Sequence, residues 1–124
     1  MFLFGILKVL VPTINGWYFI QMKNSGLGAY IPMWAGITGE IVVGSALIFS
    51  LVLDKNLASK RFRILVQLAS AAILPMMATA IYVHLQPTVP AEVLPLKIKP
   101  PIIPVVFILL AVANIYLIRR KKQK

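Results

Sequence analysis

The chain has no cysteine, only three acidic residues and a single histidine among its 124 residues. The missing cysteine excludes disulfide frameworks, thiol redox relays, Cys-ligated metal and lipid attachment through sulfur. A lone His84 cannot make a metal site, and Glu40 with His84 supplies too few ligands for one. As a haem ligand His84 lacks a second histidine on a facing helix. No phosphate-cradling glycine loop is present, and no Ser-His-Asp set can be assembled. The start MFLFGILKVLVPTING lacks the basic region and small-residue cleavage site of a signal peptide, so the first apolar run is expected to stay on the chain.

What is abundant is oil and positive charge. Apolar and aromatic residues make up 60% of the chain, and mean hydropathy is +0.88. A soluble domain of this size has too much surface to hide that much apolar matter. The net charge is +10. A nucleic-acid footprint would need those charges spread on an accessible surface. Here they sit between and after apolar runs, where membrane topology explains them.

A helix needs about 20 apolar residues to cross a hydrocarbon core roughly 30 Å thick. Four runs qualify: Phe2–Met22, Trp34–Leu53, Phe62–Leu85 and Pro101–Ile118. Breakers separate them. Gly26, Gly28 and Pro32 lie in the first linker, and Pro87, Pro90, Pro95 and Pro100 in the last. Proline cannot continue a helix, so residues 86–100 are expected to run extended along the membrane surface. Pro101 and Pro104 fall in the first turn of the fourth helix, where a missing N–H costs little. The reading is an all-α transmembrane four-helix bundle, one domain over residues 1–124, ending in a basic tail at 119–124.

Lys55, Lys60, Arg61, Arg63, Arg119, Arg120, Lys121, Lys122 and Lys124 all fall on one side of such a bundle. Only Lys23, Lys97 and Lys99 occupy the opposite linkers. The positive-inside rule then places both termini in the cytoplasm. Lys60, Arg61, Arg63, Arg119, Arg120, Lys121 and Lys122 read as topology anchors that can also meet anionic lipid. Trp17, Tyr18, Tyr30, Trp34 and Tyr82 fall at the outer end, as an aromatic belt would.

Ionisable groups inside a membrane are costly and are functional candidates by default. Glu40 lies about 9 Å inside the second span at 1.5 Å per residue. Gly36 and Gly44 share its helix face and would let another helix approach closely. A carboxylate buried there must find donors or be neutralised. Matching the spans by depth predicts an outer polar cluster of Glu40, Asn15, Thr79 and Tyr82, with His84 as a further candidate. Such a cluster can bind a ligand, handle protons or simply fix packing. A second layer, Lys8, Gln67, Ser70 and Asn114, is expected in the inner half, with Lys8 snorkelling to the phosphates. Pro12 and Pro75 land near mid-membrane, where each frees a carbonyl and can open a cavity or serve packing.

The second span GITGEIVVGSALIF, the third-span segment ILPMMATAIYVHL and the connector QPTVPAEVLPLKIKPPIIP resemble the DoxX-like family of small four-helix membrane proteins. The likeness covers residues 34–118 best. It implies a membrane partner of redox enzymes, since the family includes a small subunit of thiosulfate:quinone oxidoreductase. It implies quinone as a candidate ligand and, with the small size, a bacterial inner membrane. With no visible haem or flavin site, the expected role is an accessory or anchoring subunit without activity of its own. The alternatives are a small proton-coupled transporter using Glu40, or a purely structural membrane partner that can also self-associate. Small multidrug exporters carry their membrane Glu in the first span, whereas Glu40 lies in the second. A lipid-modifying enzyme would need more converging polar residues.

Overall fold

The structure is a computed structural model that describes residues 1–53 and 59–122. Among them the chain forms five α-helices and no strand: α1 (Phe2–Leu10), α2 (Pro12–Asn24), α3 (Met33–Leu53), α4 (Lys60–Leu85) and α5 (Ile102–Lys122). Of these, α3, α4 and α5 are each long and apolar enough to cross a membrane. Large apolar side chains such as Leu51, Leu68 and Leu109 point outward on all three, each more than 60% exposed. Water would not tolerate such surfaces at this density, and lipid does. The protein therefore has the build of an integral membrane protein.

The first span departs from the sequence expectation. It is two helices bent by 106° at Val11, not one helix over residues 2–22. Val11 is extended (φ −107°, ψ 108°) and Pro12 opens α2. An unbroken helix would direct the N–H of residue 12 to the carbonyl of Lys8, and proline has none. The side chain of Asn15 takes its place, its Nδ2 donating to the Lys8 carbonyl at 2.9 Å. The Lys8 carbonyl freed by the break is thus satisfied in a setting where an orphan acceptor is expensive. Pro75 behaves differently, since α4 runs on through it from Lys60 to Leu85.

The core follows helical spacing. Ala69, Ile73 and Met77 make a stripe four residues apart along α4 and meet Val43 of α3 and Ala111 of α5. Helix α4 packs between α3 and α5, while α1 packs chiefly on α3. Phe2 lies against Gly44 and Gly5 against Ile41, so α1 runs antiparallel to α3. At nine residues, α1 is about 13 Å long and cannot cross a bilayer unaided. Ser59 caps α4, its hydroxyl accepting from the Phe62 N–H at 3.1 Å.

The connector is also not the extended surface strand expected. It folds into two short 3-10 turns, Ala91–Val93 and Pro95–Lys97. Val89, Val93 and Leu94 are buried with Val83 of α4, packed against Trp17 and Ile20 of α2 and against Leu27. Asn24 Nδ2 donates to the Thr88 carbonyl at 3.0 Å, and Thr88 Oγ1 returns a bond to the Asn24 carbonyl at 2.6 Å. Lys99 Nζ donates to the carbonyls of Gln86 and Val89. Helix α2 and the connector thus close over one end of the α3–α4–α5 layer.

The basic residues expected to act as anchors lie at the other end. Lys60, Arg61 and Arg63 open α4, and Arg119, Arg120, Lys121 and Lys122 close α5. Lys55 and Lys124 lie outside the described residues. Of the expected belt residues, Tyr30, Trp34 and Tyr82 are exposed, whereas Trp17 and Tyr18 turn inward.

The α1–α3 contact gives a clean test. A Cβ at Gly44 would overlap Phe2, whereas one at Gly16 in α2 meets nothing within 4 Å. Gly44→Ala should cost about 1–3 kcal/mol by overpacking. Gly16→Ala should be neutral or stabilising by up to about 1 kcal/mol. Thermal unfolding in mild detergent distinguishes them, and equal effects would contradict the close approach.

Candidate functional site

The one ion pair among the described residues lies where α1 crosses α3. Lys8 Nζ donates to both carboxylate oxygens of Glu40, at 2.8 and 2.9 Å. Both side chains are only 15% exposed. The same ammonium sits 4.1 Å from the centre of the Tyr18 ring, close enough for a cation–π attraction. Tyr18 is itself held tightly, because its hydroxyl occupies the space a side chain at Gly36 would need. Glycine at 36 and 44 thus admits α2 on one flank of Glu40 and α1 on the other.

This arrangement corrects the depth assignment of Lys8. It belongs with Glu40 and not to an inner layer with Gln67, Ser70 and Asn114. No hydrogen bond links those three to one another among the described residues, and the fully buried Ser70 Oγ has no partner. The bend at Val11 is the reason. It ends α1 after a few turns alongside α3, so Lys8 comes level with Glu40.

Beside the pair is a half-open cavity of about 650 Å³, lined by α1, α2, α3, α4, the connector and the start of α5. Its walls are mainly apolar, with Leu7, Trp17, Met76, Leu94 and Phe107 among them. Lys8, Glu40 and Tyr18 line one end, while His84, Gln21 and Lys97 lie towards the connector. A Cβ on Gly39 would touch Met76, which fixes the level of Glu40 on α4. His84 is eight residues further along, so the cavity reaches roughly 12 Å from the ion pair to the connector.

The other expected members of the cluster do not all share this space. Asn15 joins it indirectly, through the Lys8 carbonyl. Thr79 lines the cavity, but its hydroxyl donates to the Pro75 carbonyl at 2.9 Å. Tyr82 is absent from the cavity wall and faces a shallow groove with Leu27 and Ala78. His84 is buried, and its Nδ1 lies 3.2 Å from the Lys99 carbonyl. A carbonyl only accepts, so Nδ1 must carry the proton. Gln21, which the sequence reading missed, donates its Nε2 to the Val93 carbonyl and ties α2 to the connector. Tyr18 was missed as a site residue because its position in the chain fits an aromatic belt equally well. Among the described residues, no three acidic or histidine side chains converge as metal ligands.

At the connector end, Leu96 and Lys97 both adopt left-handed backbone conformations (φ 55° and 56°). Such conformations cost non-glycine residues of order 1–3 kcal/mol each. Both side chains are exposed at the cavity rim. The Lys99 ammonium, bonded to two carbonyls of the same loop, holds the strained turn in place.

Breaking a buried ion pair from one side leaves a charge stranded, whereas removing both partners does not. Lys8→Met and Glu40→Gln should each cost about 3–5 kcal/mol. The double variant should cost clearly less than their sum, a coupling that a double-mutant cycle reads directly. Strict additivity would mean the pair contributes nothing. Asn15→Ala should cost about 1–3 kcal/mol by stranding the Lys8 carbonyl. In comparisons with known proteins, no family model, no curated protein and no solved structure matches this chain.

Proposed function

We propose that this protein is an accessory or anchoring subunit of the membrane that receives a small lipophilic ligand in the cavity above Lys8 and Glu40. The observation that carries the reading is an apolar chamber of about 650 Å³ with a single ion pair on its wall. Chambers of this size, apolar with a few fixed polar groups, are the usual form of small-molecule sites. The DoxX-like resemblance adds quinone as the ligand to try first and a redox enzyme as the partner. Proton-coupled transport through Glu40 is the second reading, and a purely structural membrane role the third. Transport would require the carboxylate to release and regain a proton from each side. Lys8 holds both its oxygens, which favours the first reading.

The orientation proposed places the α3–α4 linker and the α5 tail in the cytoplasm of a bacterial inner membrane. The bent α1–α2 pair would count as a broken fourth pass, but α1 begins level with Gly44 and Met1 packs on the α3–α4–α5 core, so the terminus this orientation puts in the cytoplasm is that of α5. The cysteine-free chain suits a labelling test. Lys60→Cys should react with an impermeant maleimide only from the cytoplasmic side, and Glu92→Cys only from the outside. The reverse pattern would invert the topology.

Ligand binding is tested on protein purified in mild detergent. An organic extract should contain a stoichiometric lipophilic compound, and decyl-ubiquinone should bind saturably, at least tenfold more weakly to Glu40→Gln. An empty extract and no binding, with Glu40→Gln lowering only the unfolding temperature, would leave the structural role.

A further inference from the structure

The end of the molecule opposite the connector carries positive charge that the rest of the chain does not balance. Lys60, Arg61 and Arg63 lie in the first turn of α4, which holds no acidic residue. The positive pole of the helix dipole lies there too, so these cations oppose it. Arg119 and Arg120 lie in the last turn of the neighbouring α5. The chain has three acidic residues. Glu40 is held by Lys8, Glu92 lies in the connector at the opposite end, and Asp54 lies outside the described residues. Asp54 can therefore offset only one of these basic side chains.

Helix packing brings these charges to one seam. Ile73 of α4 and Ala111 of α5 share the core. About two turns nearer the basic end on each helix, roughly 10 Å, Val66 and Ile118 are again buried. Arg63 lies one turn beyond Val66 on the same face of α4, and Arg119 directly follows Ile118 on α5. The two arginines therefore sit within about 3 Å of the same level along the helices. Arg63 is half-buried, and among the described residues its guanidinium has no hydrogen-bond partner. A guanidinium carries only donors, and in a partly dry place they call for an acceptor of negative charge. The adjoining surface is apolar, with Leu65, Leu68 and Leu117 exposed within two turns. An anion that suits this border brings apolar chains of its own.

We propose that the α4–α5 seam binds one anionic phospholipid. Its phosphate is held between Arg63 and Arg119, and its acyl chains lie along the apolar surfaces of the two helices. A guanidinium fork matches two phosphate oxygens at once, which an ammonium cannot do. Lys60, Arg61 and Arg120 are exposed around the pair and add to the field that draws the head in. Topology needs only the number of basic residues on one side. The lipid site needs these two arginines at one level, and it is independent of what the cavity holds.

Native mass spectrometry of the full chain in mild detergent counts retained lipids directly. The probes are dioleoyl-phosphatidylglycerol and dioleoyl-phosphatidylcholine, which share their chains and differ in head charge. Phosphatidylglycerol should add saturably, one molecule per chain, and bind about tenfold tighter than phosphatidylcholine. Arg63→Gln and Arg119→Gln should each weaken it about tenfold. Lys60→Gln removes the same charge from an exposed position and should weaken it about twofold at most. Equal binding of the two lipids overturns the inference. A loss in Lys60→Gln as large as in Arg63→Gln also overturns it, since a diffuse field would then suffice. Release of bound phosphatidylglycerol by excess glycerol 1-phosphate would assign the arginines to a soluble anion instead. The ranking of the two lipids in the unsubstituted protein decides the matter even where an arginine variant fails to fold.

Discussion

One ion pair in an apolar interior sets the terms for the N-terminal half of this protein. Lys8 and Glu40 lie on different helices, and each would be prohibitively placed without the other. Their contact requires α1 to lie flat on α3, and that closeness requires glycine where the two backbones meet. It also requires α1 to stop early, because a straight span would carry Lys8 to a different depth. The proline that stops it and the asparagine that satisfies the freed carbonyl are therefore parts of the same device. Tyr18 completes it from α2 by placing its ring under the ammonium.

The second constraint lies at the opposite end of the cavity. A loop of fifteen residues with four prolines would ordinarily be a weak cover. Here it has a small apolar core of its own, and Lys99 and His84 tie it to the end of α4. Two residues hold unfavourable backbone angles because the packing around them fixes the path. The cavity is thus roofed by α2 and the connector and floored by an ion pair, with soft Met, Leu and Phe walls between.

Much of this architecture was legible in the sequence, for identifiable reasons. Lipid demands continuous apolar runs, so α3, α4 and α5 stand out from composition alone. The glycines flanking Glu40 correctly signalled close approach, and Pro12 correctly signalled a freed carbonyl. The size of the bend was not legible, since Pro75 has the same local chemistry and leaves α4 continuous. What distinguishes Pro12 is tertiary: an asparagine able to reach back and a glycine-lined α3 to dock against. Assuming a straight first span then carried the error forward. It put Lys8 in the wrong layer and left Tyr18 in the aromatic belt. The connector misled for a similar reason, because its prolines exclude a long helix but not short turns around buried valines.

The separation of the two charged partners along the chain bears on how the protein is made. Lys8 leaves the ribosome 32 residues before Glu40 exists to receive it. A nine-residue helix bearing a lone ammonium has little reason to enter hydrocarbon by itself. It must wait at the interface, where its lysine stays wet, until α3 has been threaded into the bilayer. Only then does the counter-charge appear, already positioned beside a groove of glycine. On this argument α1, made before α3, takes its place after it.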